Sequence, residues 1–271
     1  MDHGTVRWAE LSTGVRLPYV SVGPESAAPV VVLLHAWGES RRCFDRLIPM
    51  LAGTVRVVAI DMRGHGEADR PDTGYSLAAL GEDVVAFMDA IGLSSVVLLG
   101  SSSGGYVAQQ VAAFSPHRVC GLVLVGSPRS LQGRPSFADE VDELSDPVDP
   151  TWVRESLAWF PRFQAVPQWY LEDRVNDGAG IPAHVWRKTL TGLSNATPPT
   201  DIATITAPTL ILWGDRDELL TREDEDELAR AIPKSQMVTY KDTGHLVLWE
   251  QPHRIAADVT HFLAKMPQSS H

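Results

Sequence analysis

Short apolar runs recur along this chain in one rhythm. Val30–His35 reads VVVLLH, Val55–Asp61 VRVVAID, Ser95–Gly100 SVVLLG, Val119–Ser127 VCGLVLVGS and Thr209–Asp215 TLILWGD. Each is rich in β-branched residues and apolar at consecutive positions, as a strand buried on both faces of a parallel sheet must be. Ser235–Gly244 is more mixed, which suits a strand nearer an edge. At the start of the chain, Val6–Leu11 and Leu17–Val22 predict an antiparallel hairpin at one edge.

Between these runs the apolar period becomes helical. SLAALGEDVVAFMDAIG offers Ser76 as N-cap, an apolar face through Leu80, Val84 and Phe87, and a stop at Gly92. Helices are also predicted for GYVAQQVAAF before Pro116, for REDEDELARAIP with its acidic first turn, and for HRIAADVTHFLAKM. Strand and helix in alternation predict an α/β fold: a doubly wound, mostly parallel β-sheet.

One section breaks the rhythm. From Arg129 to Asp201 there is no good buried strand, but there are Pro135, Pro147, Pro150, Pro161, Pro167, Pro182, Pro198 and Pro199. Trp152, Trp159, Trp169 and Trp186 also lie here, half of the 8 tryptophans in the chain. PTWVRESLAWF and PAHVWRKTL each start with proline near a first helical turn and predict short helices. The expected organisation is a core of residues 1–128 and 202–271, with a helical cap of residues 129–201 inserted after the sixth strand.

Charge narrows the partners. The 271 residues carry a formal net charge of −11, which disfavours nucleic acid and anionic membrane, since both select a basic face. No apolar run approaches the roughly 18 residues of a membrane span, and no signal peptide is visible in the first residues. The 2 cysteines, Cys43 and Cys120, form no metal or redox motif and read as buried small hydrophobes. A cytoplasmic protein, monomer or homodimer, is expected.

The candidate chemistry sits in one turn. Gly100-Ser101-Ser102-Ser103-Gly104 follows a buried strand and opens a helix, the context that G-x-S-x-G requires of a nucleophile. Ser102 alone has glycine two residues away on both sides. A serine hydroxyl is a weak nucleophile without a base and an acid to orient that base. Chain order offers His245, in the loop after the last strand, and Asp215 or Asp217, just beyond the strand TLILW.

With these residues in place, the chain resembles an α/β-hydrolase-fold enzyme of the capped esterase, lactonase and cofactor-free perhydrolase type. LLHAWGES, AIDMRGHGEADRP, LLGSSSGGYVAQQVA, PTLILWGDRDELL and DTGHLVLWEQP follow in family-like order. The resemblance implies a triad of Ser102, Asp217 and His245, with Asp217 falling on the family's G-x-x-D and Asp215 structural. Some relatives carry the acid after an earlier strand, but Gly126 and Ser127 stand there and offer no carboxylate. It also implies an oxyanion hole built from the backbone N–H groups of Ser103 and Trp37. Ala36 replaces the usual glycine of that loop.

No metal or organic cofactor is expected. The implied activity is acyl transfer to water from a small ester or lactone with an apolar acyl part, an N-acyl-homoserine lactone being one candidate. A C–C bond hydrolase, a perhydrolase and a non-turnover ligand sensor are the alternatives. Trp37, Trp152, Trp159, Trp169 and Trp186 are expected against the substrate, because ligand pockets are mostly apolar. The remaining motif residues have plainer roles: His35 steadies its own loop, Arg63, His65 and Asp69 brace a turn, and the acidic run at 222–227 is a solvated helix start.

Overall fold

A computed structural model describes residues 4–25, 27 and 29–266. Its strands are β1 (Arg7–Glu10), β2 (Arg16–Val22), β3 (Val30–Leu34), β4 (Arg56–Ile60), β5 (Val96–Ser101), β6 (Val119–Val125), β7 (Thr209–Gly214) and β8 (Ser235–Tyr240). They form one sheet in the order β1-β2-β4-β3-β5-β6-β7-β8. The predicted hairpin is present, with Arg7 opposite Tyr19 and Glu10 opposite Arg16, and β2 joins β4 antiparallel. From β4 to β8 every pairing is parallel.

The helices of the first half are α1 (Ile48–Leu51), α2 (Leu77–Ala90) and α3 (Ser103–Phe114). Ser76 caps α2, its hydroxyl accepting the Ala79 N–H. Alternate residues of each strand serve two cores. Val32, Leu34, Leu98 and Leu124 meet Leu80, Val84 and Phe87 of α2 on one face. Val31, Leu33, Leu99 and Val123 belong to the other, with Ile48 and Leu51 of α1. Full burial of each such side chain contributes about 1.5–3 kcal/mol, which is why strands covered on both faces carry no polar alternation.

Between β6 and β7 lie α4 (Ala138–Asp142), α5 (Pro150–Ser156), α6 (Gln168–Ala179), α7 (Ala183–Ser194) and α8 (Pro199–Ile202). They pack a small apolar cluster around Val153, Val175, Val185 and Trp186, which Tyr75 joins from the segment before α2. α5 and α7 match the two predicted helices. α6 carries no strong apolar stripe, and the sequence pattern does not predict it. Its inward residues are Tyr170, Arg174, Val175 and Gly178, and the Tyr170 hydroxyl donates to the Cys43 carbonyl at 2.6 Å.

The chain closes with α9 (Arg222–Ala231), α10 (Val247–Glu250) and α11 (Pro252–Lys265), the last packing Ile255, Val259 and Phe262 on the α1 face. No helix among the described residues is long and apolar enough to cross a membrane. The loops that follow β3, β5, β7 and β8 all open at the carboxyl edge of the parallel strands, where open α/β sheets hold their ligands.

Candidate active site

β5 ends at Ser101 and α3 starts at Ser103, so the chain turns on Ser102 alone. Its backbone sits at φ 49°, ψ −122°, outside the wells a side chain favours. Tight packing holds it there. A Cβ at Gly104 would lie 2.3 Å from the Leu34 carbonyl oxygen, and one at Gly100 would lie 2.4 Å from Gly105 Cα. The Ser102 N–H donates to the Val125 carbonyl at 2.9 Å, and the buried Ser127 hydroxyl donates to the Ser102 carbonyl at 2.8 Å. Ser127 thus frames the turn from the end of β6.

The other candidates converge on this hydroxyl. Ser102 Oγ is 3.0 Å from His245 Nε2, and His245 Nδ1 is 2.8 Å from Asp217 Oδ2. With Nδ1–H donated to the carboxylate, Nε2 is left as the acceptor for the serine proton. Asp217 is fixed in turn, its Oδ1 accepting the N–H groups of Leu219 and Leu220, both at 2.9 Å. Asp215 is exposed at the end of β7 and faces the Thr243 N–H instead.

The loop after β3 closes the site. His35 Nδ1 donates to the Ala36 carbonyl at 2.8 Å, and its Nε2 accepts the Met62 N–H at 2.9 Å. Burial lowers the His35 pKa to about 4, so the ring is a neutral brace. Ala36 does not need a positive φ. Its N–H is held at 3.1 Å by Glu39 Oε2, while Glu39 Oε1 accepts the Trp249 indole N–H at 2.7 Å. The Trp37 N–H, expected to face an oxyanion, donates to Ser103 Oγ at 2.7 Å.

Above Ser102 is a cavity of about 340 Å³. Its aromatic wall comprises Trp37, Phe137, Trp159, Phe160 and Trp186, with Leu219 and Leu220 from the Asp217 loop. Phe137 and Trp159 stack at 4.4 Å, and the edge of Trp186 meets Trp37 at 4.7 Å. The Phe160 ring centroid is 5.3 Å from that of His245. Buried Arg174 of α6 is also in the wall, over the Tyr170 ring at 4.8 Å and with Nη2 2.6 Å from Asp177 Oδ2.

Three of the five tryptophans expected against the substrate therefore line the cavity. Trp152 stands behind them, edge-on to Trp159 at 5.7 Å and to Trp186 at 5.4 Å. Trp169 is a correction: it is 53% exposed, lies outside the cavity wall and meets the Tyr170 ring edge-on. Successive helical residues are turned by about 100°, so with Tyr170 inward its neighbour points away.

Phe160, Phe137, Glu39 and Glu250 were not singled out in the sequence. Phe160 stood in the helix-like WVRESLAWF, and Glu250 in VLWEQP beside His245. A carboxylate amid so many apolar neighbours is the one signal that could have drawn attention to Glu250. Among the described residues, no group of three or more His, Cys, Asp or Glu could hold a metal ion.

Comparison with known proteins identifies the family of the chain. Residues 31–258 match the Alpha/beta hydrolase family. A monoacylglycerol lipase of Rattus norvegicus is 29% identical over 88% of this chain and 76% of its own. A 3-oxoadipate enol-lactonase of Acinetobacter baylyi is 27% identical over 86% of this chain and 87% of its own. The crystal structure of an esterase from a Rhodococcus species superposes with a TM-score of 0.82 at 27% identity, covering 97% of this chain and 99% of that one. The chain belongs to the alpha/beta hydrolase family.

Proposed function

We propose that this hydrolase cleaves small carboxylic esters or lactones with an apolar acyl part, through an acyl-enzyme on Ser102. The observation that carries the proposal is the hydrogen-bonded series Ser102–His245–Asp217 opening onto an aromatic cavity. His245 takes the Ser102 proton as the hydroxyl attacks the acyl carbon, then returns it to the leaving alcohol. Water repeats the sequence on the acyl-enzyme. Asp217 holds the ring in its tautomer and offsets the charge it gains. The oxygen that becomes negative is received between the Ser103 N–H, at the start of α3, and the Trp37 loop.

Residues 129–201 serve as the cap that encloses the acyl group, and the reaction belongs to the cytoplasm. The named lipase and lactone-cleaving relatives support an ester or lactone, and the aromatic wall supports an apolar acyl group. The test is a panel of p-nitrophenyl esters of graded chain length, together with N-acyl-homoserine lactones and enol-lactones. Wild type is compared with Ser102→Ala. Turnover by wild type alone is expected; equal background rates for both proteins would remove the proposal.

A further inference from the structure

An oxyanion donor has to meet an oxygen that carries charge only during the reaction, so its N–H is kept aimed at that position. Trp37 departs from this. Its N–H already donates to the hydroxyl of Ser103, at a short 2.7 Å and across 66 residues of sequence. Ser103 is 8% exposed and lies in the wall of the cavity, directly after the nucleophile.

A hydroxyl has one proton and two lone pairs. One lone pair of Ser103 Oγ receives Trp37, which leaves the proton for a group in the cavity. The Ser103 N–H is one of the donors at the helix start that has no partner inside α3. This one residue therefore brings an amide and a hydroxyl to the cavity wall that also holds Ser102. A donor that is itself receiving a hydrogen bond is polarised and binds an anion more strongly.

On the serine-hydrolase reading, we infer that the Ser103 hydroxyl is a catalytic donor to the oxyanion, with the Trp37 N–H behind it as a positioning and polarising group. The series runs Trp37 N–H to Ser103 Oγ–H to the charged oxygen. No bond is made or broken at Ser103, and its proton stays on Oγ throughout. Glu39 supports the arrangement by fixing Ala36, one residue before Trp37.

The test compares wild type, Ser103→Ala and Ser103→Thr on p-nitrophenyl butyrate, with active sites counted by a fluorophosphonate label on Ser102. Ser103→Ala is expected to lower kcat about 10²-fold, the loss associated with one oxyanion donor, and to leave KM within about twofold. Ser103→Thr restores the hydroxyl and should recover most of the rate. Affinity for an alkylboronic acid, which mimics the tetrahedral adduct, should fall in Ser103→Ala and return in Ser103→Thr. If Ser103→Ala matches or exceeds wild type, the freed Trp37 N–H serves the oxyanion directly and the assignment fails. It fails equally if Ser103→Thr stays as slow as Ser103→Ala. If wild type neither turns over the ester nor takes the label, the hydrolase reading falls and this assignment with it.

Discussion

Glu250 accepts the N–H of Gly244 at 2.9 Å, one residue before His245. Its second oxygen accepts the N–H groups of Phe163 and Gln164, each at 2.7 Å. The side chain is buried, at 6% exposure. One carboxylate thus ties the loop that carries His245 to the segment that carries Phe160. Glu250→Ala strands three N–H groups and is expected to destabilise the fold by about 2–3 kcal/mol, the scale of lost hydrogen bonds to a charged group. Turnover should fall with it as His245 loses its anchor. Glu250→Gln, which keeps one acceptor oxygen, should lie between. Urea denaturation beside ester kinetics measures both.

Asp217→Asn tests the acid. Oδ1 can still accept from Leu219 and Leu220, so the loop and the melting temperature should change little. The amide in place of Oδ2, however, no longer selects the Nδ1–H tautomer of His245. A loss of about 10⁴ in kcat is expected, with KM nearly unchanged. A loss below tenfold would place the orienting acid elsewhere. Asp215→Asn in parallel should leave kcat within about twofold.

Glu225 gives the stability a pH dependence. Contrary to the expectation of a wholly solvated acidic helix start at 222–227, it lies buried at 1% exposure in α9, with Oε2 unpartnered. Burial first, and then the charges of Asp217, Asp224 and Asp226, raise its pKa from 4.5 to about 8. The folded chain therefore holds a proton that the unfolded chain releases between pH 4.5 and about 8. Across that window the group's contribution turns against the fold as pH rises. Glu225→Gln should match wild type in melting temperature near pH 4.5 and gain steadily on it toward pH 8. A difference independent of pH would show that Glu225 binds its proton equally in the folded and unfolded chain.

Gly38 sets the distance between the β3 loop and the wall of the cavity. Its φ is +82°, and a Cβ there would lie 2.5 Å from Trp186 Cη2. Gly38→Ala must therefore displace the ring that meets Trp37 edge-on. A destabilisation of about 1–3 kcal/mol is expected from overpacking and backbone strain, with a raised KM for apolar esters. Tryptophan fluorescence would report the shift, since the Trp186 ring meets both Trp37 and Trp152.

Much of this was legible from local sequence. A strand buried on both faces must be apolar at every position, so β3 to β7 were visible as runs, and Ser76 marked the start of α2. The turn at Ser102 was equally plain, because a residue packed so tightly needs glycine at fixed offsets. Chain order then narrowed the partners to His245 and to Asp215 or Asp217, the family resemblance favoured Asp217, and the structure brings Asp217 to the histidine.

What tertiary structure alone decided is where side chains point and which donors are already taken. Trp169 and Trp159 are equally aromatic, yet helix phase turns Trp169 of α6 to solvent while the turn after α5 carries Trp159 into the cavity. α6 was hidden because a tyrosine and an arginine stand on its inward face beside Val175, and the tyrosine hydroxyl finds its partner in the distant Cys43 carbonyl. The Trp37–Ser103 and Glu250–Phe163 hydrogen bonds span 66 and 87 residues. Periodicity is a short-range property and carries no record of such pairs. They exist because a buried polar group has to find a partner wherever the folded chain brings one within reach.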